Sequence, residues 1–417
     1  MANASTISDR DWQQYEYLVD CSITIPGKDT IELNDLQIEG VYIEKDFDND
    51  HLPVLLLDLS ISRLTELSII KYMEETVFSL QIMSYIRDPG DPDVIMDKKI
   101  LISGEFYTII PDVTPDTERQ LRKLLREQNE ADEDEFSIDD TLNKVTYILF
   151  SKSAMTAVRT IVNDVLNNVN LTTAFAYIMT KVGMKNVLMS NFDNTDVIPE
   201  LLLLPIPALS ELIYLSNYYG LHKEGTQIFM DFDTTYINRM SGKSTIWKQN
   251  EIRNVTFFIG SAMNAQNIIC GSCESGDTIF VNVDKDSYRL GDDSKAADQL
   301  LGQNVTLVNE DTTEVSSVDT GGSFTTVKTT AGHNKYINEQ IACRKNENKK
   351  IVRVLCTYID IGCLTPNKQY RFITDDTELV EGIQGLYRIS SFNTTFVREG
   401  GHYITATMAS LKRVSST

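Results

Sequence analysis

Short segments in which apolar and polar residues alternate one by one recur at both ends of this 417-residue chain. Val19, Cys21 and Ile23 alternate with polar neighbours, and Leu55, Leu57 and Leu59 do the same further on. A period of two is typical of a β-strand with one buried face. Several such strands separated by turn residues predict a sandwich or small barrel within residues 1–110.

The C-terminal part repeats this pattern. The run GLYRISSFNTTFVREGGHYITATMASLKRV predicts two long strands joined by a turn at Glu399-Gly-Gly-His402. The segment IFMDFDTTYI, which begins at Ile228, alternates in the same way and predicts the first strand of a second β-domain. We assign residues 226–258 and 351–417 to that domain and residues 259–350 to a loop-rich inserted outer domain.

The middle of the chain has helical periodicity. The spacing of Val158, Ile161, Val162 and Val165 predicts one helix with a buried face, and Leu171 to Val182 predicts a second that Gly183 ends. A third helix is expected from Pro207 to Gly220. Together with the acidic run NEADEDEFSIDD, these features define a linker and helical domain over residues 111–225. The fold class is therefore α+β and mainly β.

Charge and hydropathy limit the possible partners. Sixty acidic and 38 basic residues give a formal net charge of -22. Such a surface repels phosphate backbones, which excludes a tight DNA or RNA reader but is compatible with a wall past which DNA slides. The longest apolar run, from Leu201 to Leu209, is too short to span a bilayer and contains two prolines. The N-terminus carries no secretory signal pattern, so we expect synthesis and assembly in the cytoplasm.

Candidate chemistry is sparse. Asp231 and Asp233, two residues apart, could bind a divalent cation, as in a metal-dependent hydrolase, or could shape the following turn. Cys270 and Cys273 have the spacing of half a zinc site or of a redox pair, but no second ligand pair with that spacing is present. The four histidines fall in or beside turns, which predicts surface positions. We therefore predict no catalytic residue, no metal and no cofactor.

The order of segments resembles the baseplate hub proteins of contractile-tailed phages, which are related to the base of type VI secretion tip proteins and to late control protein D. LVDCSITIPG with VLLLDLSIS resembles the first tube-like barrel, and ALSELIYLSNYYGL followed by IFMDFDTTYI resembles the entry into the second. TPNKQYRFI, GLYRISSF and HYITATMASLKRV resemble the closing strands of that second barrel.

This resemblance implies a homotrimer whose two similar barrels per chain form a pseudo-sixfold ring. The ring would join a sixfold tail tube to a threefold central spike in the virion. It implies the tube protein, the spike protein and other baseplate and tape-measure proteins as partners, with DNA passing through unbound and no membrane insertion. A receptor-binding tail component is a further alternative, for which the chain would need repeats or fibre-like segments.

Overall fold

The computed structural model describes residues 12–48, 51–88, 91–108, 142–184, 186–223, 225–240, 247, 254–260, 271–284, 288–291, 303–309, 315–318, 323–329, 351–374, 383–399 and 401–415. Within these residues the protein is mainly β, as the alternating segments predict. The acidic run NEADEDEFSIDD lies outside the described residues.

Eight antiparallel strands close into a ring, which we call the first barrel. Along the ring the order is β1, β5, β6, β7, β4, β3, β24 and β25, where β25 returns to β1. The ring consists of β1 (Tyr15–Thr24), β3 (Ile38–Asp46), β4 (Val54–Ser62), β5 (Val77–Asp88), β6 (Asp91–Thr108), β7 (Leu142–Ser151), β24 (Leu386–Glu399) and β25 (His402–Ser415). A short strand, β2 (Ile31–Leu33), pairs with β1.

A second group of strands extends from the same hairpin, and we call it the second barrel; no pairing between described strands closes this group into a ring. It comprises β15 (Asn254–Gly260), β16 (Gly271–Ser275), β17 (Thr278–Asp284), β18 (Tyr288–Gly291), β22 (Ile351–Thr357) and β23 (Gln369–Thr374). β23 pairs with β24, β22 pairs with β25, and β17 contacts β22. β15 runs parallel to both β17 and β23.

The long hairpin β24–β25 therefore belongs to both barrels. Residues Ser391 to Val397 of β24 pair with β3, whereas the beginning of the same strand pairs with β23 at Tyr387. The register of the hairpin shifts between Ile389 and Ser391, where β24 passes from one barrel to the other. A bulge of this kind bends a strand and increases its twist, which lets one hairpin serve two sheets.

The helical part has its own apolar core. α1 (Arg63–Lys71) packs on the first barrel. A separate cluster of buried apolar side chains is surrounded by the three other helices, α2 (Lys152–Arg159), α3 (Leu171–Val182) and α4 (Ala208–Tyr219). α3 begins at Asn170, whose side chain accepts a hydrogen bond from the Thr173 N–H, and ends at Gly183, whose φ of 76° is left-handed. The sequence predicts α3 and α4 correctly.

Small sheets complete this part. β8 (Ile161–Val162) pairs with β12 (Ile206–Pro207), and β9 (Val165–Asn170) pairs with β11 (Val197–Leu202). The helix predicted from Val158 to Val165 is thus wrong beyond Arg159. β-branched residues lose side-chain freedom in a helix and pack well in strands, and here partner strands that follow much later in the chain are available.

A second correction concerns IFMDFDTTYI, which is a hairpin and not one strand. β13 (Thr226–Asp231) and β14 (Thr234–Arg239) pair through a two-residue turn at Phe232 and Asp233, and β10 (Asn186–Met189) joins β14 in parallel. This sheet has no described pairing with the second barrel, in which the sequence analysis places it. The turn is possible because Phe232 takes a left-handed φ of 54°.

The strand pairing also differs from the expected division in two other places. β7, which was expected within the linker and helical domain, pairs with β4 and β6 of the first barrel. β16, β17 and β18, expected within the insertion, belong to the large sheet. β19 (Gln303–Asn309), β20 (Val315–Val318) and β21 (Ser323–Thr329) form a separate sheet inside the expected insertion. The domain boundaries themselves stay a prediction.

Candidate functional site

The turn of the β13–β14 hairpin docks against the first barrel, and this junction contains the strongest candidate for chemistry. Asp231, at the end of β13, forms an ion pair with Lys45 of β3. Both side chains are largely buried, with exposed fractions of 15% and 16%. A carboxylate already neutralised by a lysine in this way has lost most of its attraction for a divalent cation.

Asp233 turns away from that ion pair. It is exposed and accepts hydrogen bonds from the Asn186 side-chain amide at 3.2 Å and from the Thr234 hydroxyl at 3.1 Å. The two carboxylates therefore have different neighbours and do not converge on one point. Among the described residues, no group of three or more His, Cys, Asp or Glu side chains could hold a metal ion. The geometry favours the turn-forming interpretation of these aspartates.

Phe232, between the two aspartates, inserts into the first barrel where β6 meets β7. Its ring packs edge-to-face on Phe106 of β6 at 5.7 Å between centroids, and the Lys45 ammonium lies 4.8 Å from its centroid. The Ser151 hydroxyl at the end of β7 donates to the Phe232 carbonyl. One turn thus fastens the small β10–β14–β13 sheet to the barrel wall.

A second contact attaches β13 to the first barrel through His51, which precedes β4. The Met230 N–H donates to the carbonyl of His51 at 2.9 Å, and Nδ1 of the His51 ring hydrogen-bonds to the Ile228 carbonyl. His51 is partly buried and holds the backbone of β13. This use of the ring is structural.

Asp48 is the centre of a buried charged cluster. This cluster joins the first barrel, the shared hairpin β24–β25 and the β13–β14 hairpin. Arg388 of β24 donates to both of its carboxylate oxygens, at 2.7 and 3.0 Å, and Lys412 of β25 donates at 2.8 Å. The amide of Gln227 on β13 donates at 3.0 Å. Burial alone would raise the pKa of Asp48, but the positive charges of Arg388 and Lys412 outweigh it and hold the pKa well below its ordinary range.

A cleft of about 760 Å³ lies beside these contacts, between the two barrels. Its lining includes three lysines and three carboxylates, of which Lys99 and Asp360 approach each other to 3.6 Å. The opposite charges balance within the cleft, so it offers no strong field for a phosphate or for a metal cation. The charged side chains that line it are Lys45, Lys99, Lys368, Asp231, Glu274 and Asp360.

Ser190, His222 and Asp193 have the residue types of a catalytic triad. The Ser190 hydroxyl lies 3.0 Å from His222 Nε2, but it donates to the Ile237 carbonyl at 3.2 Å, so the ring is the donor to serine and not its base. His222 Nδ1 is 3.9 Å from the Asp193 carboxylate, beyond hydrogen-bond distance. His222 is fully buried, and none of the three residues lines the cleft. The arrangement stabilises the fold.

The burial of His222 corrects the expectation that all four histidines are exposed. Burial, supported by the charge of Arg239, lowers its pKa to about 4, whereas the Asp193 charge acts in the opposite direction. His51 and His402 are partly exposed, and His333 lies outside the described residues.

The cysteines give no redox or metal site among the described residues. Cys21, Cys273, Cys356 and Cys363 are free and buried, and Cys273 lies on β16, not in a loop. Burial raises the pKa of the Cys21 and Cys363 thiols to about 12. Such thiols are protonated at neutral pH and are poor nucleophiles and metal ligands. Cys270 lies outside the described residues, so the Cys270–Cys273 pair is untested.

The residues that form the junction were missed in the sequence. Asp48 stands in the polar run DFDND, Arg388 in an alternating strand and Lys412 near the C-terminus. By alternation Arg388 shares a side with Ser390, opposite Tyr387 and Ile389, so the run GLYRISSF does not predict that Arg388 is buried. No residue next to Asp48 in the sequence indicates that Asp48 pairs with Arg388.

Two groups of strands that share one hairpin, with a helical part fastened to them by a turn, form a fold that also occurs in solved structures. A tail protein from Neisseria meningitidis MC58 shares it with a TM-score of 0.51 at 13% identity, over 95% of this chain and 96% of that chain. The 43 kDa tail protein of prophage MuSo2 from Shewanella oneidensis gives a TM-score of 0.48 at 11% identity, over 95% and 97%.

The E. coli c3393 protein, described as a component of the type VI secretion system, gives a TM-score of 0.39 at 8% identity over 95% of this chain and 74% of that chain. No curated protein sequence matches the chain. The family model for the Bacteriophage PBS1 gene 109 protein matches residues 4–415. The chain therefore belongs to the Bacteriophage PBS1 gene 109 protein family.

Within the described residues, none of the helices has both the length and the apolar character that crossing a membrane requires.

Proposed function

We propose that the protein is a structural hub of a contractile phage tail baseplate and that it performs no catalysis. Three copies form a ring that adapts the sixfold tail tube to the threefold central spike. The observation that carries the proposal is the pair of barrels built on β24–β25. A chain with two barrels can present six barrels in a trimer, so one ring can match a sixfold partner on one side and a threefold partner on the other.

The charge of the chain supports this function. With a net charge of -22 per chain, a ring of three copies is strongly acidic as a whole, and an acidic inner wall is part of the proposal. DNA is repelled by such a wall and passes without binding. The partners are a second and third copy, the tail tube protein, the central spike protein and other baseplate and tape-measure proteins. The protein is assembled in the host cytoplasm and resides in the virion.

The candidate sites support a role without catalysis. Asp231 is neutralised by Lys45, the Ser190 hydroxyl donates to the Ile237 carbonyl, and the described cysteines are free and buried. The Asp231–Lys45 and Ser190–Ile237 contacts instead hold parts of the fold together. A metal-dependent hydrolase at Asp231 and Asp233 is therefore the weaker hypothesis.

Native mass spectrometry tests the hub. We expect trimers of the purified chain, or trimers that form on addition of the tail tube and spike proteins, and complexes with both of these partners. A chain that stays monomeric alone and with both neighbours would contradict the proposal. Cryo-electron microscopy of the tail is the second test, because the six barrels must lie in one ring between the tube and the spike.

A further inference from the structure

Two segments of the helical part form a narrow two-stranded ribbon. β8 and β9, within residues 161–170, pair with β12 and β11, within residues 197–207. Between these two pairings the Leu203 N–H donates to the Asp164 carbonyl at 2.8 Å, so the ribbon is continuous. Among the described strands, β9 and β11 pair only with each other. The ribbon therefore lies at the edge of the helical part and has one side free to face outward.

Both sides of the ribbon are apolar, but they differ in exposure. On the outward side Val165 and Leu202 lie opposite each other and are 48% and 56% exposed. Ile161 and Val197 are 59% and 62% exposed. We call these four side chains, together with the exposed Glu200 two residues before Leu202, the ribbon face. The inward side chains are buried in the core of the helical part; they are Val162, Val169, Ile198, Leu201 and Leu203.

This exposure calls for a partner. Single exposed apolar side chains are normal on a protein surface, whereas a group of them rimmed by polar residues marks a contact site. Four large apolar side chains exposed on two short paired segments form such a group.

The charges around the ribbon face have one sign. Residues 186–221 contain four carboxylates and no lysine, arginine or histidine, and residues 161–170 contain one carboxylate and no basic residue. Two of these five carboxylates are compensated, because Asp164 pairs with Lys181 and Asp193 pairs with Arg239.

The other three carboxylates have no basic partner among the described residues. Asp196 and Glu200 are exposed beside the apolar side chains of the face. Glu211 lies in the first turn of α4, which follows β12 directly; it is fully buried, and no described side chain pairs with its carboxylate. Buried carboxylates normally have hydrogen-bonding or charged partners. This part of the protein therefore lacks positive charge both on its surface and behind it.

The combination of apolar side chains and unpaired carboxylates specifies the chemistry of the partner. Such a surface is complementary to apolar side chains accompanied by lysine or arginine. DNA is repelled by the carboxylates, and a second copy, with its own formal net charge of -22, is opposed by them as well. A basic segment of a different protein gains from the same charges.

We infer that the ribbon face is the docking surface for an apolar segment of a different tail protein that carries lysine or arginine. Val165 and Leu202 contact the apolar side chains of this segment, and Asp196 and Glu200 face its basic ones. The inference rests on the proposed function for the choice of tail proteins as partners, but it does not require the ring of three copies.

Two synthetic peptides test the chemistry of the face. Both alternate valine with a charged residue, which is lysine in one peptide and glutamate in the other, and calorimetric titration measures their binding to the full chain. We expect the lysine peptide to bind and the glutamate peptide not to bind. Leu202→Ser should weaken binding of the lysine peptide about tenfold, and Asp196→Asn combined with Glu200→Gln about fivefold.

Matched controls separate this surface from the general attraction of an acidic chain for a cationic peptide. Leu36→Ser, and Asp29→Asn combined with Asp35→Asn, remove the same kinds of group at exposed positions on the first barrel. These controls should change the affinity by less than about twofold. Circular dichroism and thermal unfolding of each variant should match wild type, because the substituted side chains are exposed.

Hydrogen–deuterium exchange locates the bound peptide on the full chain. Exchange should slow in residues 161–170 and 197–207 when the lysine peptide is present. Equal binding of the two peptides, or a loss of affinity in the control variants as large as in the ribbon variants, would overturn the inference. Protection confined to another part of the chain would do the same.

Cryo-electron microscopy of the assembled tail tests the natural partner and keeps the two proposals apart. We expect the ribbon face to be covered by a lysine- or arginine-bearing segment of another tail protein. A face that is open to solvent, or covered by a second copy, contradicts the inference while a trimeric ring can still stand. A covered face in a tail where the chain forms no ring supports the inference and contradicts the hub.

Discussion

The Arg388 guanidinium group donates two hydrogen bonds to the Asp48 carboxylate, from Nη1 to Oδ1 at 2.7 Å and from Nη2 to Oδ2 at 3.0 Å, although 340 positions separate the two residues in the chain. Both side chains are 3% exposed. Lys412 adds a second positive charge at 2.8 Å. The contact joins the end of β3 in the first barrel to the half of the long hairpin that belongs to the second.

Removing the charge of Asp48 should destabilise this junction. Asp48→Asn leaves two buried cations without their counter-ion, which we expect to cost about 3 kcal/mol of unfolding free energy. Urea unfolding followed by circular dichroism measures the change. Asp29→Asn, at an exposed turn position, is the control and should change the free energy by less than about 0.5 kcal/mol. Equal stability of D48N and D29N would show that the cluster contributes nothing.

The stability of the helical part should depend on pH through His222. The pKa of this buried ring is lowered from 6.5 to about 4, so between these values the unfolded chain binds a proton that the folded chain does not. The contribution of the neutral His222 ring to the free energy of unfolding is complete above pH 6.5. This contribution decreases as the pH falls from 6.5 towards 4. Unfolding free energies of wild type and His222→Gln at several pH values measure this difference.

In that experiment the pH dependence between 4 and 6.5 should be weaker in H222Q than in wild type. Gln384→Asn, at an exposed position without an ionisable group, should leave the dependence unchanged. A wild-type curve that is flat over the same interval would mean that the His222 ring is not held neutral. A loss of the dependence in Q384N would show that it does not come from His222.

Asp231 should behave as an ion-pair partner and not as a metal ligand. Asp231→Asn removes the bond to Lys45 and should cost about 1–2 kcal/mol, whereas Asp233→Asn, at an exposed position, should cost less than about 0.5 kcal/mol. Thermal unfolding with and without magnesium or manganese, together with calorimetric titration, distinguishes the hypotheses. A stabilisation of wild type by either cation that D231N lacks would revive the metal site.

Phe232 should contribute to the docking of the hairpin onto the first barrel. Phe232→Ala removes the contact with Phe106 and the ring under Lys45. Because Phe232 is only partly buried, we expect a loss of about 2 kcal/mol, below the range for a fully buried phenylalanine. Phe232→Leu keeps much of the apolar volume and should lose less. If alanine and leucine had equal effects, the aromatic contact would be irrelevant.

Local patterns in the sequence were sufficient for many individual elements. Alternation predicted β1, β4 and the two strands of the long hairpin, because a half-buried strand has the same period wherever it lies. The helices α3 and α4 were predicted because each combines an apolar face with a glycine at its C-terminal end. Such signals act over a few residues and need no knowledge of the partner.

The same patterns failed where two local interpretations compete. Val158, Ile161 and Val165 fit a helical face, yet the last two lie in strands because β12 and β11 offer partners. IFMDFDTTYI fits one strand, yet a left-handed residue at Phe232 folds it into a hairpin. In the first case distant strand partners decided between conformations of similar local energy. In the second case the conformation of a single turn residue decided.

The sequence by itself determined the mainly β character of the chain, the period of its strands, two of its helices and its acidic charge, since each depends on neighbouring residues or on composition. Tertiary structure alone decided that one hairpin serves two barrels, that Asp48 meets Arg388 and that Asp231 meets Lys45 across 186 positions. Pairings of this kind depend on how distant strands are arranged in space. The residues next to each partner in the sequence do not indicate that arrangement.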